Sequence, residues 1–212
     1  MQIWKRVAVA TTLSLATAAW AQDKGHEAAK PEKGNDTPKA AKAAAGDTKI
    51  DVGQPAPDFE LTSADGKKVK LSDYKDKVVV LEWFNYECPV CKGAMPLMEQ
   101  TSAKYAKKGV VWLAVDSTAV RKATENAEFA KNNKIVNPIL MDNDGKVGHL
   151  YGAKTTPHMF VINKGTIAYM GAHDDKGKRN YIAEALDAVL DGKAPAVAKT
   201  QSYGCTIKYK KE

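Results

Sequence analysis

Two cysteines separated by two residues, Cys88 and Cys91, are the side chains of this sequence whose spacing best suits chemistry. They enclose Pro89-Val90 and lie between an apolar run and a helical pattern. This order places Cys88 at the start of a helix, where unpaired N–H groups and the helix dipole stabilise a thiolate. Pro89 falls at the first helical position, where its missing N–H costs nothing. The pattern predicts that Cys88 is an exposed nucleophile and that Cys91, one turn further along, resolves it.

The same spacing occurs in zinc sites and in purely structural disulfides. A zinc site needs a second pair of Cys or His residues at ligand spacing. The remaining candidates are not paired in this way: Cys205, His26, His149, His158 and His173. We therefore expect redox chemistry at the dithiol, with no metal and no cofactor.

This segment resembles the active-site segment of the thioredoxin superfamily, and three spacings agree with it. Glu82 lies six residues before Cys88, where thioredoxins carry a buried acidic residue. Pro96 lies eight residues after Cys88, where they kink the active-site helix. Thr156-Pro157 lies far downstream before a strand, where the family has its cis-proline. The resemblance implies that Pro157 presents the backbone of Thr156 to a substrate chain; an ordinary trans proline is the alternative, since about one X-Pro bond in twenty is cis.

Glu82 is the candidate proton carrier of this site. It could accept the proton of Cys91 when that thiol attacks a mixed disulfide. Its neighbours Val79, Leu81 and Trp83 belong to an apolar run that indicates a central strand. Burial among them should raise the pKa of the carboxyl group toward the working range. The alternative is a solvated glutamate on an edge-facing side of the strand.

Residues 51–193 predict one domain in which strands alternate with helices. The stretch Val52–Leu61 resembles the G-x-x-A-P-D-F-x-L entry of the peroxiredoxin and membrane-anchored thiol-reductase branches, and Asp65-Gly66 indicates a hairpin turn after it. The predicted fold class is α/β, a thioredoxin-like fold of the redoxin branch, with a mixed central sheet flanked by helices and an N-terminal β-hairpin. Helices are expected at Cys88–Lys107, Arg121–Asn133, Lys146–Tyr151 and Lys178–Leu190.

The first fifty residues carry targeting and linker signals. Met1–Ala21 has the order of a secretory signal peptide, with Lys5 and Arg6 before an apolar stretch and an A-x-A site that ends at Ala21. An uncleaved membrane anchor is the alternative, but the apolar stretch is shorter than the ~20 residues that a spanning helix needs. Residues 22–50 have the composition of a flexible linker. We expect a periplasmic or secreted protein, cleaved after Ala21, without stable membrane insertion.

The charge of the chain argues against a nucleic-acid partner. The formal net charge is +7, but the lysines are scattered and no aromatic-basic stripe accompanies them. The expected partners are protein thiols and disulfides, or peroxides, together with an unidentified thiol that donates or accepts electrons.

Peroxidase chemistry is the main competitor within this fold, with Cys88 as the peroxidatic cysteine. Peroxiredoxins activate that cysteine with P-x-x-x-T/S-x-x-C, and this chain has Leu81 in place of Pro and Asn85 in place of Thr or Ser. An activating arginine is also not obvious, because Arg121 and Arg179 both fall on predicted helices. These departures weaken the interpretation as an antioxidant peroxidase.

Copper handling is an alternative from a different class of function. Copper chaperones of the redoxin fold bind the metal with two cysteines and a distant histidine. Cys88 and Cys91 could serve with His158 or His173. The family's two cysteines are one residue further apart than here, which counts against this alternative.

Cys205 is the odd cysteine of an exported chain and lies in a tail of residues 194–212. The terminal G-C-x-I-K-Y segment resembles a peroxiredoxin-like group of bacterial redoxins. Tyr203, Ile207 and Tyr209 alternate with other residues, so this segment could dock as an edge strand. Three interpretations remain open: a passive, partly buried thiol, an intermolecular bridge, or a third redox thiol that exchanges with the active site.

Overall fold

The computed structural model describes residues 50–211. The predicted signal peptide, residues 1–21, and all of the predicted linker except Ile50 lie outside the described residues. The strands are β1 (Glu60–Ser63), β2 (Lys68–Lys70), β3 (Val78–Trp83), β4 (Val111–Asp116), β5 (Ile139–Met141), β6 (Thr155–Thr156), β7 (His158–Asn163), β8 (Thr166–Gly171) and β9 (Cys205–Thr206). The helices are α1 (Pro89–Ala106), α2 (Ala123–Asn133), α3 (Lys146–Leu150) and α4 (Tyr181–Leu190), with a short 3-10 helix at Leu71–Tyr74.

Seven of the strands form one mixed sheet in the order β2-β1-β5-β4-β3-β7-β8. Strand β3 pairs in parallel with β4 and antiparallel with β7. Both central strands are buried along almost their whole length, which explains why their sequences are near-continuous apolar runs. The hairpin of β1 and β2 adds to the edge through β5. The predicted mixed α/β sheet with an N-terminal hairpin is thus confirmed.

Helices α2 and α4 begin two and three residues later than the sequence pattern predicts, and local hydrogen bonds explain both boundaries. Helix α2 begins at Ala123, where the Glu125 carboxylate accepts the N–H of Lys122 at 2.9 Å. Helix α4 begins at Tyr181, because the Asn180 side chain accepts the N–H of Ala183 at 3.0 Å. Asparagine is a preferred N-cap for this reason. Arg121, predicted to be helical, lies before α2 as a result.

Residues 194–211 run back over the domain and pack against it. The N–H of Met170 donates to the carbonyl of Ala198 at 3.1 Å, and β9 pairs antiparallel with β6. Ile207 is 6% exposed and belongs to the larger apolar core. The Tyr209 hydroxyl donates to the carbonyl of Ala153 at 2.8 Å. The tail is therefore part of the packed fold.

Within residues 50–211, each helix is too short or too polar to cross a membrane.

The docking of the tail gives a first prediction. Ile207→Ala removes a buried side chain whose loss costs about 2–5 kcal/mol. We expect the tail to open more often and Cys205 to react with an alkylating reagent at least about tenfold faster, since about 1.4 kcal/mol corresponds to a factor of ten. Val189→Ala is a matched control, because Val189 is equally buried but lies in the core cluster around α4. Equal alkylation of Cys205 in both variants would contradict the docking of the tail through Ile207.

Candidate active site

The two cysteines lie at the start of α1, just after the loop that follows β3. Cys88 is the N-cap of the helix, and Pro89 occupies its first turn. The N–H of Cys88 donates to the carbonyl of Asn85 at 3.0 Å, and the Asn85 side chain accepts the N–H of Glu87 at 2.8 Å. This side-chain turn fixes the approach of the chain to the helix. Cys91 follows one turn later, with its side chain on the buried face.

The structure corrects the expectation that Cys88 is exposed. Its side chain is buried, with 2% of the residue exposed. The thiol donates a hydrogen bond to the carbonyl oxygen of Thr156 at 3.0 Å and also meets the thiol of Cys205. Cys88 is buried because the docked tail places Cys205 over its sulfur atom, a long-range contact. Cys91 is buried to the same extent.

The surroundings of Cys88 favour its thiolate. Burial opposes ionisation, but the hydrogen bond from the Cys205 thiol and the nearby N–H of Cys91 outweigh it and lower the pKa of Cys88 to about 7. The pKa of Cys205 is raised, first because its thiol donates to Cys88 and then by burial. Of these two thiols, Cys88 is therefore the one that ionises first as the pH rises.

Cys91 has the opposite electrostatic environment. Burial raises the pKa of its thiol, and the charges of Glu82 and Cys88 raise it further. Cys91 thus remains a thiol at neutral pH. The two cysteines differ in the way that separate roles require.

Glu82 is a buried carboxyl group on β3, as its apolar neighbours predict, and is 8% exposed. The indole N–H of Trp112 donates to Glu82 Oε2 at 2.8 Å. Burial raises the pKa of Glu82 to about 7; the Trp112 hydrogen bond opposes this rise, and the charge of Glu99 adds to it. Glu82 and Glu99 line the same narrow, mostly apolar pocket. The carboxyl group can thus exchange a proton near neutral pH.

Thr156 and Pro157 lie on the other side of Cys88. The peptide bond between them is cis, and Thr156 is buried with its carbonyl oxygen directed at the Cys88 sulfur. Thr156 also belongs to β6, whose register pairs it with Cys205. The structure therefore brings together Cys88, Cys91, Thr156-Pro157 and Cys205 around one sulfur atom.

Arg121 lies near the site, although the sequence analysis set it aside as part of a predicted helix. Its guanidinium group lies over the ring of Tyr86 at 3.8 Å, and Nη2 is 3.0 Å from a carboxylate oxygen of Glu87. Its Nε is 3.4 Å from Asp116 Oδ2 at the end of β4. Arg121 thus links the turn ahead of Cys88 to the end of β4. The helical pattern hid it, because an arginine two residues before a helix looks like a member of its first turn.

His158 and His173, the two candidate copper ligands, do not contact the dithiol. His158 packs on the ring of Phe160, with the ring centroids 4.8 Å apart. His173 lies against Asp174 and Tyr203, which hydrogen-bond to each other. Among residues 50–211, His, Cys, Asp and Glu side chains form no group of three that could hold a metal ion. The copper alternative therefore has no ligand set in the part of the chain that the structure describes.

Comparisons with known proteins identify a family and two similar relatives. Residues 52–170 match the model of the AhpC/TSA family. The thiol-disulfide oxidoreductase ResA of Bacillus thuringiensis subsp. konkukian (strain 97-27) is 34% identical over 116 residues, which cover 55% of this chain and 66% of that relative. The match spans just under two thirds of that relative's length. ResA of Bacillus anthracis is 33% identical over 144 residues, 68% of this chain and 77% of the relative.

A solved structure covers more of the chain. The crystal structure of an uncharacterized conserved protein from Geobacillus kaustophilus superposes with a TM-score of 0.72 at 28% identity. The superposition covers 78% of this chain and 95% of that protein.

Proposed function

Because the chain belongs to the AhpC/TSA family, in the redoxin branch of the thioredoxin superfamily, we propose that it is an exported thiol-disulfide oxidoreductase. Its Cys88–Cys91 pair exchanges with disulfides of other proteins. The observation that carries the proposal is the contrast between the two thiols at the start of α1. One has its pKa lowered to about 7, and the other has its pKa raised beside a buried glutamate.

The first step follows from the state of Cys88. Its thiolate attacks one sulfur of the substrate disulfide, the S–S bond breaks, and the departing thiolate takes a proton from solvent. The product is a mixed disulfide between Cys88 and the substrate. Thr156, whose carbonyl lies 3.0 Å from the sulfur, and Pro157 position the substrate chain for this attack once the docked tail has opened.

The second step needs a base for Cys91. Glu82 in its carboxylate form takes the Cys91 proton, and the new thiolate attacks the Cys88 sulfur. The Cys88–Cys91 disulfide forms and the second substrate thiolate leaves, so two electrons have passed from the dithiol to the substrate. A thiol donor restores the dithiol, and the same steps in reverse oxidise a substrate dithiol.

Export is the part of the proposal that rests on sequence. The charged, apolar and A-x-A segments of residues 1–21 support cleavage after Ala21. Disulfide exchange with other proteins suits an oxidising compartment such as the periplasm.

A titration with a protein disulfide tests the proposal. We expect the reduced protein to reduce insulin disulfides with loss of two of its own thiols, and peptide mapping to show a Cys88–Cys91 disulfide. A dithiothreitol or glutathione series then gives the reduction potential of the pair. Hydroperoxide turnover that persists in Cys91→Ser, with no exchange with insulin, would instead assign a one-cysteine peroxidase.

A further inference from the structure

The segment Tyr203–Tyr209 holds the strand position beside Pro157 that the proposed function assigns to a substrate chain. Its strand β9 pairs antiparallel with β6, with Cys205 opposite Thr156 and Thr206 opposite Thr155. Cys205 meets the sulfur of Cys88 from this position. We propose that Cys205 is an internal exchange partner of Cys88, so that the oxidised protein interconverts between a Cys88–Cys91 and a Cys88–Cys205 disulfide. This inference rests on the proposed function.

Gly204 shows that the close approach of the tail is built into the sequence. Its φ is +139°, and a Cβ at this position would collide with the carbonyl oxygen of Thr156. A residue with a side chain would therefore have to move the tail away from Thr156. Glycine directly before Cys205 allows the backbone to reach β6, and this contact brings the two sulfurs together.

Anchors on both sides of Cys205 hold it there. On one side, the Tyr203 hydroxyl donates to Asp174 and lies 3.3 Å from His173 Nε2. On the other side, Ile207 is buried in the core. Lys208 Nζ is 3.4 Å from Glu87, the residue directly before Cys88. The thiol is thus held by contacts from several elements and does not lie on a free chain end.

The exchange balances without any outside oxidant. The Cys88–Cys91 disulfide is the product of the proposed reaction with a protein disulfide. Cys205 gives its proton to solvent and attacks the Cys88 sulfur; the Cys88–Cys205 bond forms and the Cys88–Cys91 bond breaks. Cys91 leaves as a thiolate and takes a proton. One disulfide replaces another, and no electrons are gained or lost.

The exposure of the three thiols gives this exchange a role. Cys205 is partly exposed, whereas Cys88 and Cys91 are buried. In the Cys88–Cys205 form, an outside thiol meets the Cys205 sulfur first, and attack there expels Cys88. A stabilised thiolate is the better leaving group, and the N–H of Cys91 at the start of α1 still stabilises the Cys88 thiolate in this form. A thiol donor can therefore reduce the buried Cys88–Cys91 pair by attacking Cys205.

Oxidised glutathione is a probe that separates this inference from the proposed function. In Cys91→Ser, Cys88 attacks glutathione disulfide, and Cys205 then displaces the bound glutathione. We expect non-reducing peptide mapping to show a Cys88–Cys205 link and a glutathione adduct that is at least about tenfold shorter-lived than in Cys91→Ser/Cys205→Ser. In that double variant the adduct should stay on Cys88. Wild-type protein oxidised by insulin should contain a minor Cys88–Cys205 fraction.

The other outcomes each overturn the inference. A stable glutathione adduct on Cys88 of Cys91→Ser, with Cys205 free, excludes the internal exchange and leaves the proposed function intact. A link whose yield rises with protein concentration and that appears in a dimer assigns Cys205 to a bridge between two copies. No adduct on Cys88 in the double variant removes both the inference and the role of Cys88 as nucleophile.

Discussion

Cys88→Ser is expected to lower the rate of protein-disulfide reduction by at least about 10³-fold, a loss typical of removing the nucleophile of an enzyme. The serine hydroxyl fits the same N-cap position but does not ionise near neutral pH. The hydrogen bond from Cys205 and the N–H of Cys91 then have no thiolate to stabilise. The initial rate of insulin reduction with dithiothreitol as donor measures this loss.

Lys92→Ala is the control for this variant. Lys92 lies on the first turns of α1, directly after Cys91, but its side chain is exposed. The Lys92→Ala variant should reduce insulin at a rate within about twofold of the wild-type rate. Surface substitutions away from special contacts change stability by about 0.5 kcal/mol or less, so the fold around the dithiol should be unchanged. Exchange that survives Cys88→Ser at the wild-type rate would transfer the role of nucleophile to Cys91 or Cys205.

The frame of the sheet could be predicted from the sequence because its strands carry strong local signals. The run Val78–Trp83 is apolar on both faces except at Glu82, as expected for a central strand, and the Asp65-Gly66 turn marks the hairpin. The neighbours of Glu82 within this run are enough to predict an apolar environment for its carboxyl group. Its burial and raised pKa follow from the sheet that these residues form.

The covering of Cys88 by the tail could not be predicted in the same way. The alternation of Tyr203, Ile207 and Tyr209 indicated a docked strand, but β9 is two residues long, and this pattern does not tell which strand it pairs with. Its docking depends on Gly204 meeting Thr156 and on Ile207 entering a core formed by distant segments. The burial of Cys88 follows from these long-range contacts, so the local helix-start pattern predicted an exposed thiol. The position of Arg121 was missed for a related reason, since its partner Asp116 lies on another element.

Glu82→Gln is expected to slow the resolution of the mixed disulfide by about 10²–10⁴-fold at pH 8, the usual contribution of general acid–base catalysis. Glutamine has almost the same shape and can still accept the Trp112 hydrogen bond, but it cannot take the Cys91 proton. The mixed disulfide with the substrate should therefore accumulate in a single-turnover experiment. In the wild type, the rate should rise with pH through about 7, the pKa of Glu82, and level off above it.

The same substitution has a predicted effect on stability that is opposite in sign to its effect on rate. The carboxyl group has a pKa of about 7 in the folded protein, against an ordinary value of 4.5. Between these values the unfolded chain loses the proton while the folded protein keeps it. The free energy of unfolding therefore falls as pH rises through this window, by about 1.4 kcal/mol per pH unit. The decrease in the free energy of unfolding over the whole window is about 3 kcal/mol, and it is complete above the folded-state pKa.

Urea unfolding of the wild type and Glu82→Gln at pH 4 and pH 8 measures this difference. Because all other titrating groups are common to both proteins, their contributions cancel when the two are compared. The variant should gain up to about 3 kcal/mol relative to the wild type between the two pH values.

Glu99→Gln is the control in the same pocket, because it removes a carboxylate that raises the Glu82 pKa but leaves Glu82 itself. A Glu82→Gln variant that resolves mixed disulfides at the wild-type rate, with no pH-dependent gain in stability, would show that Glu82 is neither the base nor a carboxyl of raised pKa. A gain in stability together with slow resolution would show that the protein keeps a destabilising buried carboxylate because Cys91 needs a base.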